Sequence, residues 1–203
     1  MDQTQTARLS VVFISLLYFP SLIVLSLMIT HLQPLSNPVL TCLLYAVTLL
    51  FLLLPAAGCW IYREIRSLPG YYLLLSIIPI IICATVLFFT PILGSGISSI
   101  FSAIYLLVIF LNPFIQLLYL PVWLTIPFTT RPYYIPLLFA IISPALQILI
   151  NVLWVLEILS VRDAVPVLLC ISFAVNILAG ITLLILGITH PEISTSSSSG
   201  STS

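Results

Sequence analysis

The sequence predicts an all-α fold, a polytopic bundle of transmembrane helices, and three observations lead to that prediction. Of the 203 residues, 62% are hydrophobic and only 5% are charged, and the mean hydropathy is +1.32. A soluble domain carries about 25% charged residues, so this chain would expose large apolar patches to water. Six apolar runs, each of about 20 residues or more, are long enough to cross a bilayer as helices. We expect one transmembrane domain, residues 1–189, and a disordered Ser/Thr-rich tail, residues 190–203.

The first predicted span covers residues 9–30 and follows a short polar start that contains Asp2 and Arg8. It superficially resembles a signal peptide. Its apolar stretch is too long for one, however, and no small-x-small cleavage motif follows it. We therefore interpret this segment as a retained anchor.

The second and third predicted spans are residues 39–62 and 71–93. A turn with two prolines, residues 31–38, separates the first span from the second, because proline discourages helix continuation. The most charged segment of the chain, residues 63–66, ends the second span, and Pro69-Gly70 closes the loop that follows.

The remaining spans are predicted at residues 97–123, 133–156 and 164–189. The tight Gly94-Ser95-Gly96 connection should make the third and fourth helices an antiparallel hairpin. Pro113 and Pro121 should kink the fourth helix or end it early.

The distribution of arginine predicts the orientation of the bundle. Basic residues are more frequent in cytoplasmic loops. With six spans and a cytoplasmic N-terminus, Arg162 alone lies outside, and the other four arginines lie inside: Arg8, Arg63, Arg66 and Arg131. Both termini are therefore expected in the cytoplasm.

Polar and small side chains recur at helical spacing in the last three predicted spans. Intervals of three, four or seven residues place side chains on one face of a helix, and such a face should turn away from lipid. Each of these spans therefore presents one polar stripe. The stripe residues are Tyr105, Asn112, Gln116 and Tyr119 in the fourth span, Ser143, Gln147 and Asn151 in the fifth, and Ser172, Asn176 and Gly180 in the sixth.

Two interpretations of these stripes are open. In the first they are packing faces, where amides hydrogen-bond between helices for about 0.6 kcal/mol and small residues allow close approach. In the second they line a pore or a pocket for a polar ligand. The sequence favours packing, since it has no ring of charged residues and no glycine-rich filter. Prolines within the spans free backbone carbonyls that could serve either role.

Several other kinds of site are not expected from the sequence. Every charged residue can be assigned to a loop, a tail or a helix end, which argues against proton-coupled or voltage-sensing function. No motif predicts a catalytic residue, a metal site or a cofactor. A net charge of zero offers no basic surface for nucleic acid. The four cysteines match no disulfide or zinc pattern, but Cys59 near Arg63 is a candidate for lipidation.

The function predicted from the sequence is non-enzymatic. The helices are expected to associate with each other, with a second copy, or with partner membrane proteins, and so to organise or regulate an assembly in the bilayer. The alternative is a small channel or carrier for a neutral or weakly polar solute. An intramembrane lipid-handling enzyme is a third hypothesis.

Overall fold

The computed structural model describes residues 3–29, 38–63, 69–89, 107–126, 134–158 and 164–189, and nearly all of these residues are helical. No strand occurs in these ranges, so the predicted all-α class is confirmed. A 3₁₀ turn, Leu16–Tyr18, joins the first two helices, and a π-helical turn, Leu107–Leu111, leads into the fifth. The helices are α1 Gln3–Ser15, α2 Pro20–Ile29, α3 Pro38–Arg63, α4 Pro69–Phe89, α5 Asn112–Thr125, α6 Tyr134–Val155 and α7 Ala164–Thr189.

Most of these bounds agree with the predicted spans within a few residues, and the last agrees at both ends. One detail differs: Pro121 does not end its helix, because α5 continues to Thr125. Proline removes only one helical hydrogen bond, and membrane helices tolerate that loss. Tyr105, the connection at residues 94–96 and the tail at residues 190–203 lie outside the described residues.

Within the described residues, five helices are long and apolar enough to cross a membrane. The apolar stretch of α4, Gly70–Thr85, is shorter than these five. The chain therefore has the make-up of an integral membrane protein. The five candidate spans are Gln5–Leu27, Cys42–Arg63, Val108–Thr125, Tyr134–Val155 and Val165–Thr189.

The first candidate span lies at the centre of the bundle. It contacts α3 on one side and α7 on another, and it is the most buried of the five candidate spans. Helix α3 also packs on α4, while α6 packs on both α5 and α7. The predicted anchor is thus a central structural element that holds the two sides of the bundle together.

Two glycines allow α3 and α7 to approach this central helix closely. A Cβ atom added at Gly58 would lie 2.8 Å from the carbonyl oxygen of Ser10. One added at Gly180 would lie 2.9 Å from the ring of Phe19. Larger residues would push the helices apart at both points, as is usual where membrane helices pack through small residues. Gly180, a member of the predicted stripe, therefore serves helix contact.

Helix α6 ends in a Schellman motif. The N–H of Ile158 donates to the carbonyl of Leu153, and the N–H of Glu157 donates to the carbonyl of Trp154. Glu157 has a φ of 57°, in the left-handed region that glycine usually occupies at this position. The helix terminus therefore holds some backbone strain.

Candidate functional site

The described stripe residues all lie in the interior of the bundle. Tyr105 cannot be placed, but the other nine are buried, most of them completely. Their neighbours differ from helix to helix, and those neighbours determine what each side chain does. The nine residues are Asn112, Gln116, Tyr119, Ser143, Gln147, Asn151, Ser172, Asn176 and Gly180.

Asn176 of α7 connects three helices through its carboxamide. Its Oδ1 accepts a hydrogen bond of 2.6 Å from the hydroxyl of Ser143 on α6. Its Nδ2 donates at 3.0 Å to the hydroxyl of Ser21 on α2, and that hydroxyl donates to the carbonyl of Tyr18 at 2.8 Å. Both hydrogen-bonding sides of the amide are therefore paired. Ser21 could not be singled out from the sequence, since the two serines of α2, Ser21 and Ser26, are five residues apart and form no stripe at helical spacing.

Two amides of α6 pair with carbonyls of the π-helical turn that precedes Pro113. Proline has no N–H, so Pro113 cannot donate to the carbonyl of Ile109, four residues before it, or to that of Val108 in the π-helical register. The Nδ2 of Asn151 donates to the carbonyl of Ile109. The Nε2 of Gln147 lies 3.5 Å from the carbonyl of Val108. These stripe residues compensate for a backbone defect in the neighbouring helix.

Tyr119 of α5 makes the same kind of contact with α4. Pro79 cannot donate to the carbonyl of Leu75, and the hydroxyl of Tyr119 donates to that carbonyl at 3.1 Å. The hydroxyl also contacts the thiol of Cys59, whose side chain is fully buried. Acylation of Cys59 would require exposure of that thiol, and its lipidation stays a prediction.

Asn112 and Gln116 of α5 are the exception among the buried amides. Both side chains are 0% exposed, yet among the described residues neither the oxygen nor the nitrogen of either carboxamide has a hydrogen-bond partner. The two residues lie one helical turn apart on one face, about 6 Å along the axis. An unsatisfied buried polar group costs about 1 to 3 kcal/mol. Packing therefore does not explain this pair.

Single unpaired atoms occur elsewhere in the interior. The carboxamide oxygens of Gln147 and Asn151 and the hydroxyl of Ser172 have no partner among the described residues. The indole N–H of Trp123 faces the hydroxyl of Tyr18, although the two do not form a well-aligned hydrogen bond. Asn112 and Gln116 differ from these residues because their whole amide groups are free.

The described stripe residues are uncharged. Arg63 and Glu157 lie near helix ends, whereas Arg8 lies within α1 and its Nε is buried without a described partner. No group of three His, Cys, Asp or Glu side chains lies together in the described ranges. The arrangement offers neutral hydrogen-bond donors and acceptors, which can hold and orient a polar molecule. It offers no charge to compensate an ion.

Comparison with known proteins found no match for this chain among protein-family models, curated proteins or solved structures.

Proposed function

We propose that this multi-pass membrane protein is a channel or carrier for a small, uncharged, hydrogen-bonding solute, which binds to Asn112 and Gln116. Support comes from the two completely buried carboxamides that have no hydrogen-bond partner among the described residues. The sequence favoured helix association over transport. Transport is proposed first because the described stripes face into their own bundle, and because these two amides join no described helices by hydrogen bonds.

The two carboxamides need a hydrogen-bond partner that lipid does not supply. In the hydrocarbon region there is no bulk water to pair with a free N–H or C=O. Four unpaired atoms at about 1 to 3 kcal/mol each are a large fraction of a typical folding free energy. A polar solute that binds here would recover much of that loss, which is a source of binding free energy.

The described conformation corresponds to a closed state of such a protein. Neither Asn112 nor Gln116 has accessible surface, so a solute reaches them only after the helices rearrange. The π-helical turn Leu107–Leu111 and Pro113 interrupt regular helical hydrogen bonding beside Asn112. Such irregular turns occur often at functional sites in helices, and this one gives α5 a place to bend.

Six crossings with both ends in the cytoplasm belong to the same proposal. Helix α4 is 21 residues long, enough to cross a hydrocarbon core that needs about 20. The distribution of arginine favours cytoplasmic termini. Epitope tags at the two ends should be accessible from the same side of the membrane, and accessibility from opposite sides would contradict this layout.

The function is also proposed to be non-enzymatic. The described interior offers amides, hydroxyls and one thiol–phenol contact, Cys59 with Tyr119. It lacks the neighbouring acid and base groups that general acid–base chemistry uses. Binding and passage of a solute require only the neutral hydrogen-bonding groups that are present.

The test is solute flux in reconstituted vesicles. Purified protein in phospholipid vesicles should pass neutral polar solutes faster than protein-free vesicles, as measured by stopped-flow light scattering. The double variant N112L/Q116M should lose that flux, whereas L117M, on the exposed side of the same helix, should keep it. Folded wild-type protein with no flux above empty vesicles would overturn the proposal.

Association with a second copy or a partner membrane protein is the other candidate function. The observation that favours it is a broad apolar outer surface, for example Leu74, Ile77 and Ile81 on α4, all of them exposed. Lipid covers such a surface equally well. Cross-linking in membranes, followed by sizing in mild detergent, should give a discrete complex if association is the function, and monomers alone would count against it.

A further inference from the structure

We infer that the solute is a small neutral amide of the urea class, a conclusion that rests on the function proposed above. It follows from which atoms are free at Asn112 and Gln116. Each carboxamide offers a C=O acceptor and an NH₂ donor side by side in one plane. In both residues neither atom has a hydrogen-bond partner in the part of the chain that the structure describes.

The best complement to a free carboxamide is another group with a donor beside an acceptor. Two parallel hydrogen bonds then form at once, as in other bidentate pairs. Urea has two such edges, because its carbonyl lies between two NH₂ groups. One urea molecule therefore has a matching edge for each of the two carboxamides, Asn112 and Gln116.

Other classes of ligand fit these atoms less well. An ion would find no opposite charge on the described stripe residues, all of which are neutral. The described carboxylate, Glu157, lies beyond the end of α6. A hydroxyl of a polyol carries its donor and its acceptor on one atom, so it meets only one atom of each amide in good geometry. An apolar solute would leave both amides unpaired.

The neighbouring groups limit the length of the ligand. On one side of the pair, the carbonyls of Val108 and Ile109 already accept from α6. On the other, the hydroxyl of Tyr119 is bound to Leu75. Apart from the indole N–H of Trp123, the unpaired side-chain atoms in the described part of α5 are thus the two carboxamides, which span one helical turn of about 6 Å. That length suits a molecule of a few heavy atoms better than a sugar.

The selectivity of transport tests this inference. Permeabilities to urea, acetamide and glycerol would be measured by stopped-flow light scattering in vesicles of one phospholipid, each divided by its value in protein-free vesicles. We expect the wild-type protein to favour urea and acetamide over glycerol by at least about 10-fold, the effect of one lost hydrogen-bonded pair of about 1.4 kcal/mol. N112L and Q116M should each remove the preference, and L117M should preserve it.

The outcomes separate the two proposals. Flux of glycerol equal to that of urea would overturn the amide inference and leave transport intact. Absence of flux for all three solutes, with folded protein, would overturn both. If either variant failed to fold, the wild-type ratio of urea to glycerol would still decide the question.

Discussion

The buried amides of this bundle form two groups that differ in their partners and not in their burial. Gln147, Asn151 and Asn176 reach across to neighbouring helices, where they hydrogen-bond to a serine pair or to carbonyls of the π-helical turn before Pro113. Asn112 and Gln116 are as deeply buried but have no hydrogen-bond partner within the described ranges. Residue type and depth are therefore a poor guide to role in a membrane interior. The partner distinguishes a structural amide from one available to a ligand.

The largest effect on stability is expected at the three-helix junction. N176A removes two hydrogen bonds and leaves a cavity between Ser21 and Ser143, so the free energy of unfolding should fall by about 3 kcal/mol. Unfolding in mixed micelles would measure it, with L178A on the exposed face of α7 as the matched control. If N176A lowered the free energy of unfolding no more than L178A does, the hydrogen bonds of Asn176 would not stabilise the bundle, and Asn176 would behave like Asn112 and Gln116.

A smaller loss, about 1 to 2 kcal/mol, is expected for N151L, which leaves the carbonyl of Ile109 without a donor. P113A should reduce this loss, because alanine restores an N–H that can pair with the same carbonyl. A double-mutant cycle in the same micelles measures the coupling. Strictly additive effects would mean that Asn151 does not compensate for Pro113.

The unpaired group should respond in the opposite direction. N112L and Q116M replace free amides with apolar side chains of similar shape, which should leave stability unchanged or raise it by about 1 kcal/mol each. L117M controls for the introduced methionine. Thermal melts in detergent provide the measurement. A loss of 1 kcal/mol or more would reveal a structural contact at these residues and abolish the contrast between the two groups.

The smallest effect is expected outside both groups, at the end of α6. E157G should raise stability by about 0.5 to 1 kcal/mol, because glycine adopts the positive φ of the Schellman motif without strain. E157A separates this backbone effect from loss of the charge and should bring no such gain. The difference in stability between E157G and E157A also shows whether the melts resolve changes as small as those expected at Asn112 and Gln116. Equal melting curves for E157G and E157A would contradict the strain at this terminus.

Much of the architecture could be predicted because it depends on local properties. Apolar length predicts the helices, and residues 164–189 form α7 with the expected bounds. The four-residue spacing of Ser143, Gln147 and Asn151 places them on one face, and that face is buried. Of the two effects expected at Pro121, a kink or an early end, the early end does not occur, since neighbouring turns hold α5 together through one missing hydrogen bond.

The partners of the polar residues could not be predicted from spacing. Helical periodicity places a side chain on a face, but it does not say which helix that face meets or at what height. Asn151 and Asn112 look alike in the sequence, and only the axial register between α5 and α6 places Asn151 beside a carbonyl freed by Pro113. Ser21 became visible as a partner only where α2 and α7 cross.

By itself, the sequence determined the helical class, the membrane-type composition and the polar face of each of the last three helices. Composition and helical periodicity are properties of one segment and do not depend on how segments pack. The tertiary structure alone decided that the first span lies at the centre and that two carboxamides lack partners. A hydrogen bond requires atoms within about 3 Å. That distance is set by how helices from remote parts of the chain pack together.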